Sequence, residues 1–356
     1  MKITKLFGVL FLGTILFTSC SDDVEPNLPK GDYENGILVS GEGTTTVSGS
    51  VSYVSNDLST VEKSIYKKVN KVELGEYVQS ISFDKDRAYI ITDNQNTITV
   101  VNRFTFEKEG TITTGLIKPR YMTIVGDKGY VTNWGATDND NDDFVAIVNL
   151  SSFQNEGKID VVLGPERIVS KNGKLYVSHK GAFGTNNKIS VIDISTKKVD
   201  KEITIKDKPD ELYINNSGKL VVLCEGKTIY DTSWNVTGHT KGAITFIDTT
   251  ENRWESELTF KEGDHPSQMV VSNNSIYYSL GKDIYKVEDN AIVLPTAKLI
   301  TTDAGYLYGL AVKDNNLYVL DASFTGLSML NVYDLVTKTK KETKEVALGA
   351  SKIYFN

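Results

Sequence analysis

Short apolar segments of four to seven residues, each closed by a polar turn, recur along nearly the whole chain. They alternate apolar with polar residues or run apolar, and they are rich in Val, Ile, Tyr and Thr. That pattern predicts strands rather than helices. One phrase comes round repeatedly. It reads DRAYIIT at Asp86–Thr92, DKGYVTN at Asp127–Asn133, NGKLYVS at Asn172–Ser178 and SGKLVVL at Ser217–Leu223. It returns as NNSIYYS at Asn273–Ser279 and DNNLYVL at Asp314–Leu320, with a shorter first copy, NGILVS, at Asn35–Ser40. The central residues of the copies lie between 41 and 56 residues apart. A repeat of that size is one supersecondary unit, unable to bury its apolar face alone, so neighbours must stack.

Each unit has the same order. An apolar segment led by Pro or Gly, such as Lys118–Val125 or His265–Val271, precedes the YVS-like strand. A third strand follows, as at Asn96–Asn102, Lys188–Asp193 and Ala243–Asp248. A more charged fourth strand comes last, as at Lys198–Ile205. Seven such units predict an all-β, seven-bladed β-propeller with four antiparallel strands per blade. The C-terminal VALGASKIYF at Val346–Phe355 copies a unit opening, VVLGPERIVS at Val161–Ser170, while the first unit lacks its innermost strand. The C-terminal strand is therefore expected to pair with Gly36–Ser40 and close the ring, leaving no open sheet edge. Residues 36–356 then form one domain.

At Tyr130–Asn133 the chain reads YVTN, and together with GKLYVS and ISVID this resembles the YVTN (YncE-like) family of bacterial propellers from about Gly36 onward. The resemblance implies the fold and leaves the activity open.

Residues 1–19 read as a secretory signal peptide. Lys2 and Lys5 precede an apolar core that ends in Thr18 and Ser19, directly before Cys20. The segment resembles a bacterial lipoprotein leader, which implies acylation of Cys20. The acidic run Ser21, Asp22, Asp23 and Glu25 resembles the surface-export signal of Bacteroidetes-type lipoproteins. Residues 20–35 are expected to be a lipidated flexible tether. The chain is thus expected at the outer membrane, lipid-anchored and displayed on the cell surface, with the membrane reached through the lipid alone.

The net charge is −7, and loss of Lys2 and Lys5 makes it −9. No basic patch appears, which argues against nucleic acid as a partner. Cys224, the second of two cysteines, has no mate once Cys20 is acylated, so no disulfide framework is expected.

Candidate chemistry gathers in the long loops Trp134–Phe144, His179–Lys188, Glu225–Gly242 and Asp321–Met329. Aromatic residues there, Trp134, Phe183, Tyr230, Trp234 and Phe324, with Tyr306, suit the lining of a ligand pocket. His179, Tyr230 and Asp321 are candidate polar contacts. The same aromatics also suit loops that simply pack on one another. His179, His239 and His265 lack metal-ligand spacing. Asp138, Asp140, Asp142 and Asp143 lack the Gly and distal Glu of an EF-hand and read as a solvated acidic loop. No nucleophile elbow, P-loop or HExxH motif is present. The expectation is a binding protein with no catalytic residue, cofactor or resident metal.

Lipidation, propeller and long aromatic loops together resemble the surface cobalamin-capture lipoproteins (BtuG type). That resemblance implies a corrinoid ligand passed to a TonB-dependent outer-membrane transporter. Two alternatives stand beside it. One is a scaffold binding protein or glycan on the same face. The other is a calcium-dependent hydrolase or lactonase using Asn133, Asp210, Glu225 and Asp321.

Overall fold

The structure is a computed structural model that describes residues 29–356. The signal peptide, Cys20 and the acidic run Asp22, Asp23 and Glu25 lie outside the described residues. Seven four-stranded antiparallel sheets stand as blades around a central channel. Blade two begins with Val78–Asp84, blade three with Pro119–Val125 and blade four with Pro165–Lys171. Blades five, six and seven begin with Pro209–Ile214, Pro266–Ser272 and Leu307–Lys313. The YVS-like phrases are the second strands, and their apolar residues are almost wholly buried.

Blade one is shared between the two ends of the chain. Its innermost strand is Ala350–Phe355, which pairs antiparallel with Gly36–Gly41. Leu38 sits opposite Tyr354 and Val39 opposite Ile353. The expected closure is what the ring uses. The expected tether, however, ends earlier than residue 35. Tyr33 is buried, donates its backbone N–H to Phe104 O at 2.9 Å, and packs edge-on against Tyr53 and Phe106. A large aromatic gains more by docking on the blade than by staying in water.

Neighbouring blades bury their faces against each other. Tyr89, Ile91, Ile98 and Val100 of blade two form one cluster with Met122, Val131, Phe144 and Val148 of blade three. Tyr176, Val191 and Ile203 of blade four meet Leu212, Val222 and Cys224 of blade five. Each such side chain contributes about 1.5–3 kcal/mol by leaving water. Cys224 is part of this packing. Burial pushes its thiol up to about 12, so it is an inert core residue.

One irregularity recurs in every blade. The pairing of the innermost strand with the second slips at its first residues: Val78/Ser80, Pro119/Met122, Pro165/Ile168, Pro209/Leu212, Pro266/Met269 and Leu307/Gly309. Blade one slips at Ser40/Gly41. A bulge leaves residues unpaired and re-aims their side chains. Here all the bulges lie at one end of the channel. Pro suits the first position of such a strand because it has no N–H to place in the ladder. The loops joining second to third strands leave from this same end.

Candidate functional site

The re-aimed bulge residues form the mouth of the channel. They are Gln79, Arg120, Tyr121, Glu166, Arg167, Asp210, Glu211, Gln268 and Tyr308, joined by Lys352, which follows the bulged Ser351 of blade one and pairs with Ser40. Two adjoining cavities of about 240 and 250 Å³ lie among them, sharing Tyr121, Arg167, Gln268 and Lys352 as walls.

The charged members make a belt that runs from blade to blade. Arg120 donates to Asp93 at 2.5 Å and to both oxygens of Glu166, at 3.1 and 3.2 Å. Arg167 donates to Asp210 at 3.1 Å and to Glu211 at 2.5 Å. Lys180 bridges Asp210 and Glu225 at 2.7 and 2.8 Å. The arginine and carboxylate side chains of the belt are between 6% and 16% exposed. Burial opposes the charge on Lys180, but the carboxylates of Asp210 and Glu225 outweigh it and raise the ammonium well above its usual range. Asp210 is held far below the usual carboxylate range, because Lys180 and Arg167 overcome the same burial cost.

Lys352 is the exception. No carboxylate lies within salt-bridge distance of it among the described residues, although it walls both cavities. Burial, then the neighbouring Arg167, depress its ammonium. Glu42 faces the same space and is pushed up by burial.

The sequence-selected residues fall into two groups. Trp134 walls the mouth, stacks on Arg120 with the guanidinium carbon 3.7 Å from the ring centre, and meets Phe183 edge-on at 5.6 Å. Its indole Nε1 is buried and has no hydrogen-bond partner among the described residues. Phe183 itself is 70% exposed. Phe324 packs on Tyr306 and Tyr308, the latter a mouth residue. Asp321 accepts the backbone N–H of Tyr306 at 2.8 Å and so shapes that loop. Tyr230 and Trp234 sit on a separate two-stranded hairpin, Thr228–Tyr230 with Val236–His239. They touch each other at 6.0 Å between ring centres and are otherwise exposed, Trp234 by 81%.

His179 does not join them. It is fully buried within blade four, accepting from Ser190 Oγ at 2.8 Å through Nε2 and donating from Nδ1 to Leu163 O at 3.3 Å. Both ring nitrogens are used, so the role of polar ligand contact expected for it is corrected to an internal strut. Asn133, Asp210, Glu225 and Asp321 do not assemble as a cation site. Asn133 bonds Ile117 N and Val131 O, and Asp210 and Glu225 share Lys180. In the acidic loop Asp142 accepts from Ala136 N, and Asp143 is buried against Gly164 N. No cluster of three or more His, Cys, Asp or Glu arranged for a metal occurs among the described residues.

The belt as such was not selected from the sequence, which offered Asp210 and Glu225 only as candidate calcium ligands. Its signal is the pair of polar residues after a strand-leading Pro: Pro119-Arg-Tyr, Pro165-Glu-Arg, Pro209-Asp-Glu and Pro266-Ser-Gln. Strongly polar residues at the start of an otherwise apolar innermost strand mark a wall of the channel.

Comparison with known proteins agrees with the architecture. Antigen Lp49 of Leptospira interrogans serogroup Icterohaemorrhagiae serovar copenhageni is 27% identical over 216 residues, 57% of this chain. The aligned region spans 45% of that protein's length. Hydrazine synthase of Kuenenia stuttgartiensis superposes with a TM-score of 0.61 at 18% identity, covering 79% of this chain and 92% of that one. The dihydro-heme d1 dehydrogenase NirN gives 0.58 at 11% identity, over 93% and 77%. AztD of Citrobacter koseri gives 0.54 at 13% identity, over 89% and 96%. At such identities these likenesses speak to the fold alone. Residues 35–347 match the family described as a domain of unknown function, DUF5074, and the chain belongs to that family.

Proposed function

We propose that this protein is a non-catalytic capture protein, anchored to the outer membrane by lipid at Cys20 and displayed on the cell surface. It takes a corrinoid across its loop face and passes it to a TonB-dependent transporter. The observation that carries this reading is the set of exposed aromatics, Phe183, Tyr306 and Phe324, beside a polar channel mouth, with Tyr230 and Trp234 on a hairpin that leaves from the same end. Aromatic faces bury a large ligand at small entropic cost, and a few polar groups fix its orientation. A corrin ring carries a fringe of carboxamide arms. Gln79, Gln268 and Lys352 offer such arms both donors and acceptors. Cavities of about 240 and 250 Å³ are too small for the macrocycle and suit a projecting arm.

The test is calorimetric titration of the full chain, purified in a mild non-ionic detergent, with cyanocobalamin, followed by desalting. Heat of binding and retained red colour are expected. No heat and a colourless protein at micromolar ligand would sink the corrinoid reading and favour a scaffold that binds protein or glycan.

A further inference from the structure

At the root of the hairpin two imidazoles point nitrogens at one another. His239 lies at its end and His265 directly precedes blade six. His239 Nδ1 and His265 Nε2 are 2.9 Å apart. Thr228 Oγ1 lies 3.3 Å from the first and 3.5 Å from the second. The other nitrogen of His265, Nδ1, is 2.9 Å from Glu225 O. A carbonyl can only accept, so Nδ1 carries the proton and Nε2 presents a lone pair. A backbone carbonyl holding the far side of an imidazole is also how metal-bound histidines are oriented.

We propose that His239 Nδ1 and His265 Nε2 form an open two-imidazole site for a borderline divalent ion, Zn²⁺ or Cu²⁺. Two nitrogens about 2.0–2.1 Å from a tetrahedral ion stand roughly 3.3 Å apart, so the observed pair opens by only a few tenths of an ångström. Without the ion, His239 donates its Nδ1 proton to His265. With it, that proton moves to His239 Nε2, which leaves both rings neutral and both facing nitrogens free to bind. The Thr228 hydroxyl stands where it can orient a bound water. Among the described residues no third His, Cys, Asp or Glu completes the set. Coordination positions therefore remain for water or an incoming ligand, in contrast to a closed structural site. Imidazole donors select Zn²⁺ and Cu²⁺ over Ca²⁺ and Mg²⁺. The site uses none of the channel-mouth residues, although it lies at the base of the hairpin that carries Tyr230 and Trp234, and its metal readouts need no corrinoid.

The test uses the untagged full chain in detergent, with Zn²⁺ or Cu²⁺ alone as the probe. Zinc competition against a chromophoric indicator should show saturable binding of one ion per chain. Either His239→Ala or His265→Ala should weaken it by about tenfold or more. The electron paramagnetic resonance spectrum of the Cu²⁺-loaded wild-type chain should carry hyperfine splitting from two nitrogens, a readout that needs no variant to fold. No saturable site, binding that persists unchanged in either variant, or a copper spectrum without nitrogen splitting would overturn the proposal.

Discussion

The guanidinium carbon of Arg120 lies over the indole of Trp134, 3.7 Å from the ring centre, while its nitrogens hold Asp93 and Glu166. A loop aromatic is thereby tied to the ion belt of the channel. Trp134 shields one face of a buried cation, and the cation fixes the plane of the ring. Cation–π contacts of this kind contribute about 0.5–2 kcal/mol.

Replacing Trp134 by Ala should therefore do two things at once. It should weaken ligand binding on the face by about 2 kcal/mol or more, as for a buried anchor. It should also lower the melting temperature, because Arg120 becomes half-uncovered. Trp134→Phe keeps an aromatic ring over Arg120 but loses the second ring of the indole together with Nε1–H, so it should restore part of the stability and part of the binding. Calorimetry and thermal unfolding on both variants separate the two roles. A Trp134→Ala protein that melts like the wild type would show that the stack carries no stability.

Ending the chain at Leu348 should lower the melting temperature sharply. The truncation strips the innermost strand from blade one and leaves Gly36–Gly41 with a free edge. It also removes Tyr354, whose hydroxyl accepts from Ile81 N at 2.8 Å, and Asn356, which bonds Tyr33 O and Arg103 O. Aggregation on expression, or a melt well below that of the full chain, is the expected result. Unchanged unfolding would refute the closure as a source of stability.

The architecture was legible because strand periodicity and the repeated phrase report burial directly. Tyr89, Tyr176 and Tyr318 recur in the sequence because each stands at the same buried place in its blade. The site was legible only in part. Trp134 and Phe324 stood out as aromatics in long loops, and both lie at or beside the channel mouth. His179 misled because a histidine after a strand looks available, whereas its register opposite Pro165 places it inside the blade. Arg120 and Arg167 went unselected because their carboxylate partners stand on neighbouring blades, tens of residues away. Sequence spacing reports neighbours along the chain, and a ring joins residues across it.

Arg167→Ala should be among the most damaging single changes outside the apolar core. It leaves Glu211 and part of Asp210 buried without their counter-charge. Removing one partner of a buried pair typically costs about 3–5 kcal/mol, more than the pair itself contributes. The paired change Arg167→Ala with Glu211→Gln should recover part of that loss, since the stranded carboxylate is gone. Denaturant unfolding of the single and double variants decides the point. A double variant no more stable than Arg167→Ala would show that the damage comes from lost packing on Tyr121, over which Arg167 lies at 4.1 Å, and not from the uncompensated charge.

His179 gives the protein a defined sensitivity to acid. Burial lowers its imidazole to about 4, against the partial support of the Leu163 and Val162 carbonyls. The unfolded chain has an ordinary histidine near 6.5. The folded-state value is the lower one, so the stability linked to this group is present above pH 6.5. It is lost as pH falls toward 4, because there the unfolded chain takes up a proton that the folded chain refuses. The full difference is on the order of 3 kcal/mol. His179→Gln keeps a donor for Leu163 O and an acceptor for Ser190 but cannot titrate. Its melting temperature should fall less between pH 7 and pH 4.5 than that of the wild type. Carboxylates such as Asp210 titrate identically in both proteins, so the difference between the two slopes isolates the histidine. Parallel slopes would mean that His179 is solvated, and that the blade opens around it more readily than its complete burial implies.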